Sequence, residues 1–358
     1  MLSDIFFKHS DELRPKSVID ELFSDSERGI DILFLSGEHD LREVMYELDA
    51  RGLHHVIGCT TAGHISSEGY KTQGGLRFHL GGSRLKSRSW MLDLDLSDLL
   101  SKGSELRQFA AANPDAFGII MIDGLSGREE SIVGALRREL PGVPIVGGSA
   151  GDSLKFEKTH LFHGAELHSD VAILTLVATA DFRVSMFRLQ HHLPTEKAFL
   201  VTRAEGRRLY ELNGRPALEV YLEATGLSES ELGASAYGRY PLMAKSGEHF
   251  YIRAIQDATH EGLDFFCKLE VGTVLRLGTS PGSNDELLRT LDGVGCDGPH
   301  VSLFFDCTLR RLEFEDRALS QLVGRRLGNS GSGFCTYGEQ LDGIHVNQTL
   351  VGLRFEEP

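Results

Sequence analysis

Between Phe117 and Gly147 the chain reads as a strand, FGIIMI, an acidic turn, DGLSG, a helix over Arg128–Leu140, the turn PGVP and a second strand from Ile145. A strand, a helix and a strand joined by turns this short form a βαβ crossover, so some strands run parallel. The same alternation fills the first third of the chain. A compact apolar strand, Ile30–Leu35, precedes GEHDLREVMYELDA, where Leu41, Val44, Met45 and Leu48 recur at helical spacing, and a second strand spans His54–Gly58. Gly75–Leu80 and Ser89–Leu94 alternate with a period near two, and a helix over Leu99–Ala111 ends before Asn113-Pro114. Phe156–Phe162 and Val171–Ala180 read as a hairpin or as adjacent antiparallel strands, which makes the sheet mixed.

At 358 residues the chain suits two domains, each able to bury its own core. The expected fold is α/β (α+β): two closely packed domains, residues 1–180 and 181–358, each on a mixed, largely antiparallel sheet with flanking helices. No Gly/Ser/Pro linker marks the boundary, which suggests tight packing and a cleft between them. In the second half, strands are expected near Asp181–Leu189, Ala198–Arg203, His249–Ala254, Thr273–Leu277 and Pro299–Cys307. Helices are expected in NGRPALEVYLEATG, with Asn213 as cap, Pro216 in the first turn and Gly226 at the end, and over Ser283–Leu291 and Phe314–Leu327. Gly331–Phe355 closes the chain as strand, acidic turn and strand.

The formal charge of −15 argues against binding to nucleic acid or to an anionic membrane. Five cysteines, Cys59, Cys267, Cys296, Cys307 and Cys335, are odd in number and lack CxxC spacing. That argues against a disulfide scaffold and a zinc ribbon and makes a reducing cytoplasm the simplest home. The first residues lack the basic start and apolar run of a signal peptide, and Val171–Ala180 is half the length of a membrane span, so no membrane insertion is expected.

Three segments echo one another: VIGCTTAGHISSEGY, PIVGGSAGDSLKF and GFCTYGEQLDGIH each run a short apolar strand into a loop of small residues. Such loops offer backbone N–H groups at strand ends, where α/β sheets bind ligands, or serve as tight turns of close backbone approach. Nucleotide-binding glycine loops, HExxH, GxSxG and EF-hand spacings are missing. His191 and His192 follow the aromatic and basic strand FRVSMFRL, a setting that suits a haem iron ligand or a pair of surface loop histidines. Tyr240, beside Arg239, suits a small polar ligand or a haem propionate. Asp123, Gly148 and Asp152 at the strand ends, with Arg253, offer polar contacts to a metabolite. Glu339 and His345 flank a tight turn, where a local charge pair is the alternative. A nucleophile at Ser126 or Cys335 would make the protein an enzyme.

With GCTTAG at 58–63, DGLSGREE at 123–130, VPIVGGSAGD at 143–152, VTRAEGRRLYELNGRPALEVY at 201–221 and GFCTYGE at 333–339, the chain resembles the FIST family of bacterial sensory proteins. The resemblance covers nearly the whole chain and implies a ligand-sensing module in place of a catalyst. It also implies a partner such as a sensor histidine kinase or a cyclic-di-GMP enzyme; a homodimer is compatible with it. One branch looks like haem-containing nitric-oxide sensors, which implies iron held by a histidine: here His192, with His191 as alternate and His249 and His345 as further candidates. The other implication is a sensor for a small metabolite such as an amino acid.

Overall fold

The computed structural model describes residues 2–25, 28–291 and 299–358. Three stretches of chain follow one plan. In the first, the strand Gly29–Ser36 leads through the helix Leu41–Ala50 to the parallel strand Val56–Thr61, and Gly75–Gly81 returns antiparallel to Gly29–Ser36. The second places Phe117–Ile122, the helix Glu129–Glu139, Ile145–Ser149 and Val171–Ala178 in the same roles. The third uses His300–Cys307, the helices Thr308–Asp316 and Ser320–Gly328, then Gly331–Thr336 and Leu350–Glu356. An outer strand joins each sheet: Ile5–Ser10, Lys86–Asp93 and Arg183–Leu189 respectively.

Between its last two strands each unit sends out a hairpin, and the three hairpins are exchanged in a ring. His64–Ser66 and Gly69–Lys71 extend the third sheet, where Ile65 faces Gly333. Leu161–His163 and Glu166–His168 extend the first sheet, where Leu161 faces Cys59. Glu339–Leu341 and Ile344–Val346 extend the second, where Glu339 faces Gly148. The inner faces of all three sheets share one core, in which Phe34, Phe78, Met121, Ile173, Phe305, Phe334 and Leu353 are buried together. Phe34 and Phe334 stack at 4.5 Å between centroids. Helices cover the outer faces. On the first, Asp40 caps Leu41–Ala50 by accepting from the N–H of Arg42 and Glu43, and the apolar stripe Val44, Met45 and Leu48 packs over Leu33, Leu35 and Val56.

The three sequence echoes are the second parallel strands of the units. Each carries a glycine opposite a carbonyl of its parallel neighbour: a Cβ on Gly58, Gly147 or Gly333 would stand 1.9, 1.8 or 1.9 Å from the oxygen of Leu33, Ile120 or Phe304. A side chain there cannot coexist with this strand spacing.

A fourth, antiparallel sheet grows out of the third unit between Arg183–Leu189 and His300–Cys307. Its order is His249–Arg253, Leu242–Ser246, Val274–Thr279, Leu193–Glu205, Arg208–Leu212, Gly262–Phe265 and Ile255–Thr259, with a separate core that includes Val201, Leu209, Tyr221, Phe265 and Leu277. Three expectations need correction. Phe156–Phe162 and Val171–Ala180 are not neighbouring strands: the only strand in the first segment is Leu161–His163, and it pairs with Val56–Thr61 and Glu166–His168 in the first sheet, while Val171–Ala178 pairs with Lys86–Asp93 and Phe117–Ile122 in the second. Asn213 does not cap a helix: its backbone takes a positive φ of 54° and its Oδ1 accepts from Leu200 N–H, so it shapes the preceding turn, and Ala217–Thr225 starts after Pro216. The single helix expected over Phe314–Leu327 is two, interrupted where Ala318 takes a φ of 54°. Cys296 lies outside the described residues; Cys59, Cys267, Cys307 and Cys335 are buried and unpaired. Among the described residues no helix is long and apolar enough to cross a membrane.

Candidate ligand cavity

The strands His300–Cys307 and Gly331–Thr336 run parallel and end side by side, Cys307 opposite Thr336. Beyond these ends lies a cavity of about 420 Å³, closed on one side by the third unit, on another by the loop after Ile145–Ser149, and on the third by the fourth sheet. Carboxyl ends of parallel strands are where α/β sheets bind ligands. Leu154, Phe156, Phe266, Leu309, Leu312 and Tyr337 supply apolar walls; Thr308, Thr336, Cys307, Gln256 and Asp257 supply polar groups.

The loop at residues 152–156 is held in an unusual shape. Ser153, Leu154 and Phe156 take positive φ values of 59°, 66° and 54°. Strain of this kind in non-glycine residues clusters at ligand clamps. Asp152 holds the loop: its carboxylate accepts from the N–H of Phe156, Glu157 and Lys158 at 2.9, 2.7 and 2.9 Å. Burial would raise the pKa of Asp152, but the Tyr337 hydroxyl and those N–H groups outweigh it and hold the carboxyl below its usual range. The Tyr337 oxygen also accepts from Leu154 N–H at 2.9 Å, and its ring stacks on Phe156 at 4.7 Å.

Glu339 does not line the cavity but is bonded to Thr336, which does. It accepts from Thr336 Oγ1 at 2.5 Å and from Thr349 Oγ1 and N–H at 2.7 and 3.1 Å, and burial pushes its pKa up to about 8. At neutral pH it is therefore mostly a neutral acid. The expected pairing of Glu339 with His345 is absent: they are on adjacent strands out of register, and His345 is within 3.3 Å of Gln340 and 3.5 Å of Asn347. Gly148 is a point of close approach, since a Cβ there would lie 2.4 Å from Thr336 Cγ2. Asp123 is likewise tied up within the fold, accepting from Thr159 Oγ1 at 2.5 Å and the N–H of Leu125 and Asp170 at 3.0 and 2.7 Å. Arg253 donates to the carbonyl of His345 at 3.3 Å, and the carbonyl of Tyr240 accepts from Tyr221 at 2.9 Å.

His191 and His192 are on the far side of the helix Thr308–Asp316. With Glu313 they form a buried cluster whose ligand atoms lie within 4.8 Å of one another, close enough to hold a metal ion. The hydrogen bonds give the cluster a different present role. Arg310 Nη1 donates to His191 Nδ1 at 2.9 Å, which puts the ring proton on Nε2, where it is donated to Glu313 at 2.8 Å. A metal on that Nε2 would need a proton on Nδ1, facing a guanidinium that cannot accept it. Nε2 of His192 is 2.7 Å from the carbonyl of Gly238. Burial pushes His192 down to about 3, and burial opposed by His191 and other donors leaves Glu313 lowered to about 2. These residues do not fit a haem: both rings are enclosed, both Nε2 atoms are engaged, and neither ring lines the cavity.

The sequence candidates are thus not brought together in one site. Asp152 shapes the cavity, Glu339 backs it, and His191, His192, Tyr240, Arg253, Asp123 and His345 are elsewhere. Phe156, Phe266, Thr308, Leu312 and Tyr337 were missed, though Tyr337 stands within the third echo, next to the strand end.

The FIST N domain model matches residues 31–215 and the FIST C domain model residues 217–342. The chain belongs to the FIST family, whose tandem domains serve ligand sensing and signalling. An uncharacterised protein of Methanocaldococcus jannaschii is 28% identical over 181 residues, 48% of this chain and 35% of that protein, so the match spans about a third of the relative's length.

Proposed function

We propose that the protein is a cytoplasmic sensory module that binds a small amphipathic metabolite, of the size of an amino acid, in the cavity between the third unit and the fourth sheet. Its signal would pass to a partner such as a sensor histidine kinase or a cyclic-di-GMP enzyme. The observation that carries this reading is the cavity's composite wall: a strained loop of the second unit, two strand ends of the third and the edge strand Ile255–Thr259 of the fourth sheet. A ligand touching all three favours one arrangement of them, which is what a sensor needs to change its surface. Buried unpaired cysteines support a reducing compartment. The haem and nitric oxide reading finds no such support at His191 and His192.

A thermal-shift panel of amino acids and small organic acids tests the proposal. One chemical class raises the melting temperature of the wild type, and Leu312→Trp, which fills the cavity from a half-buried position, removes that shift. A silent panel, or an equal shift in the variant, contradicts it.

A further inference from the structure

The wall of the cavity carries charge of one sign. Among the described residues no lysine, arginine or histidine lines it, and its one carboxylate, Asp257, stands exposed on the edge strand Ile255–Thr259. Asp257 Oδ1 accepts from Ala258 N–H at 2.8 Å, and the carboxylate forms no ion pair among the described residues.

The polar groups deeper in the wall are already committed. The Thr336 hydroxyl donates to Glu339 and the Tyr337 hydroxyl to Asp152, the Thr308 hydroxyl is inaccessible, and the Leu309 N–H at the helix start is bonded to the Cys307 sulfur. An anion entering here would exchange its water shell for the Gln256 amide at the rim and a weak thiol donor, and burying a charge so poorly paired is costly.

A cation meets the opposite conditions. Phe156 stacks on Tyr337 with centroids 4.7 Å apart and lies 6.3 Å from Phe266, so three aromatic rings stand together on the wall. Ring faces attract an ammonium group within about 6 Å of the centroid, more strongly where water is excluded. The formal charge of −15 adds a field that concentrates cations around the molecule.

Resting on the cavity reading above, we infer that the ligand is a small organic cation, an amine with an apolar body, its ammonium group bound by the Asp257 carboxylate and the ring faces of Phe156, Phe266 and Tyr337. Leu154, Leu309 and Leu312 take the apolar body. In the metabolite panel, amino acids with apolar side chains carry the ammonium group and organic acids lack it, so the amino acids are the class that responds.

The test is a calorimetric titration of the full chain with 2-phenylethylamine, 2-phenylethanol and phenylacetate, which share an apolar body and differ in charge. The amine should bind roughly 10-fold more tightly than the alcohol, and phenylacetate more weakly than either. Asp257→Asn should weaken the amine roughly 3-fold and leave the alcohol unchanged. Phe156→Leu, which keeps the wall apolar but removes a ring, should weaken the amine more than the alcohol. Equal binding of amine and alcohol, both abolished by Leu312→Trp, overturns the cation site and leaves the cavity a ligand site. Tighter binding of phenylacetate, or an Asp257→Asn protein that binds the amine as wild type, also overturns it. Binding of none of the three probes overturns this ligand class, and with a silent metabolite panel the cavity reading falls too.

Discussion

Glu339 keeps its proton in the fold and loses it in the unfolded chain over a wide pH range. Its ordinary value is 4.5 and burial raises it to about 8, so its stabilising protonated state is fully present below the first value and is lost as pH rises through the second. The buried histidines act in the opposite direction: His192 is lowered from 6.5 to about 3, so it strengthens the fold as pH rises, an effect complete above 6.5. Between pH 6.5 and 8 the carboxyl therefore dominates of these two, and stability should fall. Glu339→Gln, which keeps an acceptor for Thr349 and offers a donor to Thr336, should flatten that fall in urea titrations at stepped pH. An unchanged slope would show that Glu339 ionises freely. The sequence made Asp123 and Asp152 visible as polar groups at strand ends and Glu339 as a residue beside a tight turn. It could not show that Asp152 braces a cavity loop, because its partner Tyr337 is brought to it by folding across 185 positions.

Strand ends and glycines were the legible elements. All three echoes are second parallel strands of equivalent units, and the glycine in each is there because the neighbouring carbonyl occupies the space of a Cβ. Gly147→Ala should cost about 3 kcal/mol or more in a denaturant titration, since backbone, not a flexible side chain, opposes the new atom. A cost below about 1 kcal/mol would mean that the parallel pair adjusts easily. The helix Thr308–Asp316 was illegible for a physical reason: it follows a buried strand directly and has no Ser, Asp or Asn cap to announce it. The same lack of a cap hid Thr308, Leu309 and Leu312, which line the cavity from this helix.

The molecule as a whole is tied together by exchanged hairpins. Close packing of the two halves was legible from the missing linker, but the destination of each hairpin was not, because a two-stranded ribbon carries no local signal for the sheet it will join. Ile65 pairs with Gly333, and Glu339 with Gly148, so each half supplies strands to the other. Residues 1–180 and 181–358 produced separately should be poorly folded, and co-expression should recover one cooperative unfolding transition; independent, sharp melting of each half would contradict the exchanged ring. The cavity depends on the same assembly, since Leu154 and Phe156 face it from one half and Leu309, Leu312 and Phe266 from the other. Methyl-resolved NMR of protein labelled at isoleucine, leucine and alanine, titrated with the compound that shifts the melting temperature most, tests the central claim directly. The account predicts perturbations concentrated at Leu154, Ala234, Ile255, Leu309 and Leu312. Perturbations centred on Leu189 and Leu319, beside the His191 and His192 cluster, or scattered over the surface, would contradict it.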